Sequence, residues 1–214
     1  IQSPYNYRAA ADWLTTSRYA IIRGNNTLGY GMRCAEPMRR LGPVDIKPLE
    51  EALARQDDGL WDADAEYRKR LAPLRKTRTI YLMMTNGGIQ APTQYFAGWE
   101  PLREAFAPIA ATIAGFFPQP GRVLNAQIAL LPPGEGIARH NDRGPTLVAT
   151  HRVHVPLVTH PDVRFEVEST NYALEVGIAY ELDNMRQHEV MNASPIDRVH
   201  LIVDYLSSSP GAPA

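Results

Sequence analysis

The sequence predicts a mainly β protein, an antiparallel sandwich or barrel preceded by a part that is mostly helical. Strand-like runs follow one another after residue 120 with turn residues and no helical pattern between them. Before residue 120, apolar residues recur mostly at helical spacing. The chain has 214 residues, of which 44% are hydrophobic and 21% charged. A chain of this size buries about 70% of its surface on folding, so a core forms without disulfides.

Charge and cysteine content narrow the class of protein. The 22 basic and 23 acidic residues give a net charge of −1, which argues against binding to nucleic acid or to an anionic membrane. The single cysteine, Cys34, allows no intrachain disulfide and fits a reducing compartment. No apolar run reaches the roughly 20 residues that span a bilayer, and no signal peptide is visible. We therefore expect a cytoplasmic protein, although the chain starts at Ile1 and a missing targeting segment stays open.

Residues 1–120 are predicted to form a mixed part that packs on the barrel. Helices are predicted over 9–14, 45–56, 63–74 and 101–117, and strands over 19–23 and 79–84. In the last helix, Leu102, Phe106, Ile109 and Ile113 recur at helical spacing and predict a core face. The Asn-Gly-Gly sequence that follows residue 85 predicts a loop.

Residues 121–206 are predicted to form the β core, with a disordered tail over 207–214. Strands are predicted over 122–131, 151–158, 163–168, 178–182, 189–192 and 199–206. The sequences PPGEG, THPD and NASPID supply turns between them.

The candidate metal ligands lie in this β core, which holds all six histidines of the chain. Residues two apart in a strand point to the same side, so His140 and Asp142 can grip one metal ion. We interpret Leu-Pro-Pro-Gly-Glu-Gly as the turn that delivers His140 to the start of a strand. His188 is the candidate for a third ligand at long range. Two histidines and one carboxylate form the facial triad of non-haem Fe(II) oxygenases.

Two arginines point to an anionic ligand. Arg198 enters a strongly apolar strand, where an inward guanidinium needs an anionic partner. A guanidinium pairs with a carboxylate in bidentate fashion, which suits the far end of a dicarboxylate. Arg152 and His154 repeat the pattern on another strand, with both side chains on one face. A structural ion pair remains an alternative for either arginine.

Together these residues resemble the aspartyl/asparaginyl β-hydroxylase family of Fe(II)- and 2-oxoglutarate-dependent oxygenases, and the related bacterial proline cis-hydroxylases. The resemblance covers roughly residues 120 to 206 and rests on His140-x-Asp142, Arg152-x-His154, Gln187-His188-Glu189-Val190, and Arg198 followed by Leu201-Ile202-Val203-Asp204. It implies a double-stranded β-helix, the cupin-like jelly roll, with helices that buttress one sheet. The best-known animal members have Gly where this chain has Asp142, so the full triad is closer to that of bacterial oxygenases.

The resemblance also implies cofactors and roles. His140, Asp142 and His188 would bind Fe(II), with O₂ as co-reactant, and Arg198 would pair with the distal carboxylate of 2-oxoglutarate. Further contacts to 2-oxoglutarate are expected from Arg152, His154 and Gln127. Substrate or supporting contacts are expected from Arg143, Arg186, Asp183 and His200. The expected activity is hydroxylation of an unactivated C–H bond in an amino-acid-like or peptide substrate, with release of succinate and CO₂.

Two other readings of the same residues stay open. Cupin-type barrels bind metal without using 2-oxoglutarate, but they usually present His-x-His with a Glu and leave an arginine such as Arg198 unexplained. A barrel that only binds a small dicarboxylate or a partner has no need of Asp142.

Overall fold

The computed structural model describes residues 34–69 and 76–208. The helix predicted over 9–14 and the strand predicted over 19–23 lie outside the described residues, as do residues 209–214 of the predicted tail. Within the described part, no helix is both long enough and apolar enough to cross a membrane.

Eleven strands in the described residues form two antiparallel sheets. They are β1 Met38–Pro43, β2 Arg78–Thr85, β3 Thr93–Tyr95, β4 Gly121–Leu131, β5 Gly136–His140, β6 His151–Val158, β7 Val163–Val167, β8 Thr170–Tyr172, β9 Ile178–Leu182, β10 His188–Asn192 and β11 Arg198–Ser207. The larger sheet has the order β1-β9-β6-β11-β4-β2-β3, and the smaller has β5-β10-β7-β8. From β4 to β11 the chain alternates between the two sheets, except at β7 and β8, which form a hairpin in the smaller sheet. This alternation is the double-stranded β-helix, so the predicted jelly roll is confirmed.

Helices cover the outer face of the larger sheet. They are α1 Lys47–Ala54, a 3-10 helix Asp58–Asp62, α2 Ala65–Arg68 and α3 Trp99–Gly115. The predicted stripe of α3 is buried and packs in one cluster with apolar residues of α1, β2, β4, β6 and β11. The predicted helix over 63–74 is described only as α2, because residues 70–75 lie outside the described part.

The strand predictions were accurate for strongly apolar runs and incomplete elsewhere. The bounds of β6 and β9 match the prediction, whereas β1, β3, β5 and β8 were not predicted. The interpretation of His140 as the start of a strand was wrong, because His140 ends β5 and Asp142 follows in a loop. Strand β5 is short and only Ile137 in it is buried, so it lacks the apolar pattern of a strand. Moreover, β1 to β3 extend the larger sheet itself, so the sheet crosses the predicted division at residue 120.

The larger sheet is covered on both faces, and its central strands are buried along most of their length. Polar side chains in such strands must therefore find partners inside the protein. The buried polar residues of β4, β6 and β11 are Asn125, Gln127, His154, Arg198, His200 and Asp204. Arg152, whose side chain is 13% exposed, belongs with them. They mark where the protein interior departs from an apolar core.

The start of α3 depends on a glycine. A Cβ atom on Gly98 would lie 2.4 Å from Cγ2 of Ile80 and 2.7 Å from the carbonyl oxygen of Tyr81. We expect Gly98→Ala to lower the free energy of unfolding by about 1–3 kcal/mol, since the backbone of β2 cannot yield easily. Gly115→Ala at the exposed end of α3 is the control, because its Cβ would meet nothing within 4 Å. Chemical denaturation measures both, and equal effects would contradict this explanation.

Candidate active site

Three residues of the smaller sheet and its loop converge at one point. His140 at the end of β5 and His188 at the start of β10 are directly paired in register, and their ring centroids lie 4.3 Å apart. Nε2 of His140 lies 3.7 Å from Oδ1 of Asp142, and Nε2 of His188 lies 3.8 Å from Oδ2. One ligand atom of each residue lies within 4.8 Å of the others. The sequence predicted that these three residues bind one metal ion, and in the structure their side chains lie close together.

Backbone carbonyl groups orient both imidazoles. Nδ1 of His140 lies 2.8 Å from the carbonyl oxygen of Ala138, and Nδ1 of His188 lies 2.9 Å from that of Arg186. Each Nδ1 is therefore assigned as the N–H donor, which leaves the lone pair of Nε2 for a metal. Burial is the largest influence on the pKa of His188 and lowers it, which favours the neutral form that binds metal.

The loop after β5 fixes Asp142. Its backbone N–H donates to the carbonyl oxygen of Asn184 at 2.9 Å, and the Asn184 amide donates to the carbonyl oxygen of Leu147 at 3.1 Å. Asp183, beside Asn184, accepts from the backbone of Met185 and from Nε of Arg186 at 3.0 Å. The predicted supporting position of Asp183 is thus in the turn that leads to His188, and its neighbour Asn184 contacts the Asp142 backbone directly.

The donor set fits a first-row divalent metal. Two neutral imidazole nitrogens and one carboxylate on one side of a cavity form a facial set that leaves other coordination positions open. Polar atoms deeper in the same cavity lack partners within the described residues, as is expected where a ligand binds. The site therefore fits iron together with 2-oxoglutarate.

The cavity beside the triad lies between the two sheets and has a volume of about 460 Å³. Its walls carry side chains from both sheets and from the loop after β5. The apolar part is formed by Met84, Ala129, Ile137, Pro145, Leu147, Phe165, Val190 and Ile202. A cavity of this size with a few polar groups is typical of a small-molecule site.

Arg198 lies at the inner part of this cavity without an anionic partner. Its side chain is 2% exposed, and no described carboxylate forms a salt bridge with it. Its Nη2 donates to Nδ1 of His200 at 2.7 Å, and its Nε has no partner among the described residues. Burial lowers the pKa of Arg198 to about 9, so the guanidinium is still charged at neutral pH. A buried cation of this kind needs an anionic ligand.

Two further histidines next to Arg198 are held neutral. Burial lowers the pKa of His154 and of His200 well below the ordinary value, and the charge of Arg198 lowers both further. Neither ring nitrogen of His154 has a partner in the described part of the chain, nor does Nε2 of His200. His154 lines the cavity together with Gln127. His200 does not line it but contacts Arg198, which does.

Arg152 differs from Arg198 because it is matched by two carboxylates. Its Nη1 donates to Oδ2 of Asp142 at 2.7 Å, and its Nε and Nη2 donate to Asp204 at 2.8 and 3.0 Å. Desolvation acts to lower the pKa of Arg152, but Asp142 and Asp204 outweigh it and the pKa is raised. The alternative of a structural ion pair thus describes its contacts, although the side chain also lines the cavity.

The remaining predicted residues divide between the cavity and the surface. Arg143 lies exposed at the cavity mouth and makes no salt bridge with another described residue. Arg186 is bound to Glu168 and Asp183 and does not line the cavity. Sequence reasoning missed Asn125 and the role of Asp204. Asp204 ends the apolar run Leu201-Ile202-Val203, and an Asp directly after three apolar residues signals a buried carboxylate.

The fold and the site define a jelly-roll protein with a His-x-Asp…His metal centre, and comparison with known proteins names its family. A model of the aspartyl/asparaginyl β-hydroxylase family matches residues 78–208, more than half of the chain. The chain therefore belongs to this family, and it is an Fe(II)- and 2-oxoglutarate-dependent dioxygenase by class. A search of curated proteins finds no significant match.

Solved structures are similar to this chain at low sequence identity. AviO1 from Streptomyces viridochromogenes Tue57 is 16% identical with a TM-score of 0.50, over 84% of this chain and 92% of that chain. A 2OG-Fe(II) oxygenase family oxidoreductase from Burkholderia pseudomallei is 15% identical with a TM-score of 0.49, over 70% and 79%. The viral collagen prolyl hydroxylase of Paramecium Bursaria Chlorella virus-1 is 10% identical with a TM-score of 0.44, over 84% and 100%.

The buried histidines predict an acid-sensitive fold. The unfolded chain binds a proton at an imidazole below a pH of about 6.5, whereas folded His154 and His200 stay neutral there. Stability is therefore complete above that pH and falls below it, by about 1.4 kcal/mol per pH unit for each histidine. We expect His154→Leu to reduce this slope between pH 6.5 and 5 in urea denaturation of the metal-free protein. Identical slopes for the two proteins would contradict the assignment.

Proposed function

We propose that this protein hydroxylates an unactivated C–H bond of an amino acid, or of an Asp- or Asn-type residue within a peptide. One molecule each of 2-oxoglutarate and O₂ is consumed for each hydroxyl group formed, and succinate and CO₂ are released. The observation that carries this proposal is the pairing of a His-x-Asp…His triad with the unmatched Arg198 cation in one cavity.

The triad would hold Fe(II) through Nε2 of His140, Nε2 of His188 and a carboxylate oxygen of Asp142. When bound, Fe(II) with 2-oxoglutarate and O₂ supplies the oxidising chemistry, which places one oxygen atom in the product and the other in succinate. The protein residues bind and orient the reactants. The two Nδ1–H bonds to backbone carbonyls keep both imidazoles turned toward the metal.

Arg198 would bind the distal carboxylate of 2-oxoglutarate. Its unpartnered Nε and its buried positive charge favour a bidentate carboxylate. His154 and Gln127 line the stretch between Arg198 and the triad and would donate hydrogen bonds to the cosubstrate. His200 would hold the guanidinium through a neutral acceptor, which leaves the positive charge for the ligand.

The substrate would enter from the side of the loop after β5. Arg143 at the cavity mouth would contact a substrate carboxylate, because no described side chain neutralises it. Phe165, Val190 and Ile202 give the inner wall an apolar surface that keeps water from the reacting atoms.

The first test is anaerobic titration of the purified protein with Fe(II) and then with 2-oxoglutarate. We expect a weak visible metal-to-ligand charge-transfer band only when both are present, because 2-oxoglutarate chelates the iron. His188→Ala should abolish the band, whereas Arg139→Gln, at an exposed ion pair on the smaller sheet, should retain it. Iron binding without a band would contradict the use of 2-oxoglutarate. A protein that binds no metal would be a binding barrel.

A second test separates the two ends of the cosubstrate site. Arg198→Gln removes the buried cation but leaves the three metal ligands in place, so we expect that Fe(II) affinity does not decrease. The concentration of 2-oxoglutarate that gives half of the charge-transfer band should rise by about tenfold or more, as is typical for loss of a charged hydrogen bond. Unchanged 2-oxoglutarate affinity would refute the role of Arg198.

A further inference from the structure

Polar side chains form a row across the inner face of the larger sheet. Asn125 on β4 lies directly opposite Asp204 on β11, and Asp204 lies directly opposite Arg152 on β6. Directly opposite residues of antiparallel strands project on the same face, so the three side chains meet. We call Asn125, Asp204 and Arg152 the polar row. It ends at Arg152, which contacts the proposed metal ligand Asp142.

Asp204 is the fixed point of the polar row, since it is buried to 1% exposure and bound on both sides. Its two oxygens accept from Nε and Nη2 of Arg152 at 2.8 and 3.0 Å. Oδ2 also accepts from the amide of Asn125 at 2.8 Å, and Asn125 in turn accepts from the backbone N–H of Thr85 at 2.8 Å. The carboxylate is thereby tied to the backbone of β2.

Arg152 carries this constraint to the metal site. A guanidinium is planar and rigid, so two bonds to Asp204 also fix the direction of Nη1. Nη1 donates to Oδ2 of Asp142 at 2.7 Å. Oδ1 of Asp142 accepts no hydrogen bond from the described residues and is the oxygen that lies 3.7 Å from Nε2 of His140. The polar row thus holds one oxygen of the ligand and leaves the other free.

The charges of Asp204, Arg152 and Asp142 are balanced along the same set of contacts. Asp204 neutralises Arg152, so Asp142 keeps its negative charge for a cation although a guanidinium touches it. Without Asp204, the guanidinium would compete with the metal ion for a single carboxylate, and its repulsion would act in a medium that screens charge weakly.

We propose that Asp204 is a positioning residue for the metal ligand Asp142 and acts on it through Arg152. This inference rests on the proposed metal site. Asp204 is too far along the polar row to ligate the metal itself, because the whole guanidinium of Arg152 lies between its carboxylate and Asp142.

A purely structural role for Asp204 makes a different prediction, and the chain offers a matched control. Glu181 on β9 of the same sheet is buried to 2% exposure and is bound to Arg39 and His151. It lies outside the cavity of the metal site. Glu181→Gln and Asp204→Asn each replace a buried, ion-paired carboxylate with a neutral amide of the same shape. Only Asp204→Asn disturbs a contact to a metal ligand.

The test is titration of the metal-free, full-length protein with Mn(II), followed by the electron paramagnetic resonance signal of the free ion. We expect Asp204→Asn to weaken Mn(II) binding by about 10–100-fold, the range found when a group that orients a metal ligand is removed. Glu181→Gln should change it by less than about twofold, even if both variants lose thermal stability. Asp204→Asn that folds and binds Mn(II) as tightly as the natural sequence would overturn the inference.

A second variant decides the matter if Asp204→Asn does not fold. Arg152→Lys keeps the positive charge, but a single ammonium group cannot hold Asp204 in bidentate fashion and reach Asp142 in a fixed direction. We expect weakened Mn(II) binding here too, and binding equal to that of the natural sequence would refute the polar row as a positioning device. If the natural sequence binds no Mn(II), the proposed metal site itself fails. That outcome differs from tight binding in every variant, which refutes only the positioning role.

Discussion

The structure depends on the charge pairing of two arginines inside a β sandwich. Arg152 and Arg198 lie on neighbouring strands, line the same cavity and are nearly excluded from solvent. A buried guanidinium is tolerated only when its charge and its donors are matched. Arg152 is matched by two carboxylates of the protein, whereas Arg198 contacts the neutral ring of His200 and the face of Phe165 and has no carboxylate partner among the described residues. The charge of Arg152 is thus matched within the protein, whereas that of Arg198 needs an anionic ligand.

The fold makes this arrangement possible. The alternation of the chain between two sheets brings the end of β5, the start of β10 and the middle of β6 and β11 to one cavity. Helices cover the outer face of the larger sheet, and its inner face lines the cavity together with the smaller sheet and the loop after β5. Polar side chains on that inner face are shielded from water, which strengthens each of their electrostatic interactions. The metal ligands lie mainly on the smaller sheet, while the groups for the cosubstrate lie on the larger.

The sequence predicts the parts of this protein that local chemistry determines. Strongly apolar strands such as β6 and β9 were found with their bounds. The combined pattern of His140-x-Asp142, Arg152-x-His154, His188 and Arg198 predicted the family, which the comparison confirmed. Strand β5 was not predicted because its apolar pattern is weak, and its role depends on pairing with β10. The carboxylate partners of Arg152 were not predicted either. Asp204 is 52 residues away, and only the register of β6 on β11 brings the two together.

Charge balance links the two proposed ligands. In the absence of ligands, Arg152 and Arg198 carry two positive charges, and Asp142 and Asp204 carry two negative charges, while burial keeps His154, His188 and His200 neutral. The charges of these residues therefore sum to zero before anything binds. Fe(II) would add two positive charges and 2-oxoglutarate two negative charges, so this sum would return to zero only when both are present. Either ligand alone would leave a buried net charge, which is costly in a medium of low polarity. Each ligand therefore lowers the cost of binding the other, and by thermodynamic linkage the two effects are equal. A site built in this way favours the state in which metal and cosubstrate are bound together, which is the state that the chemistry requires.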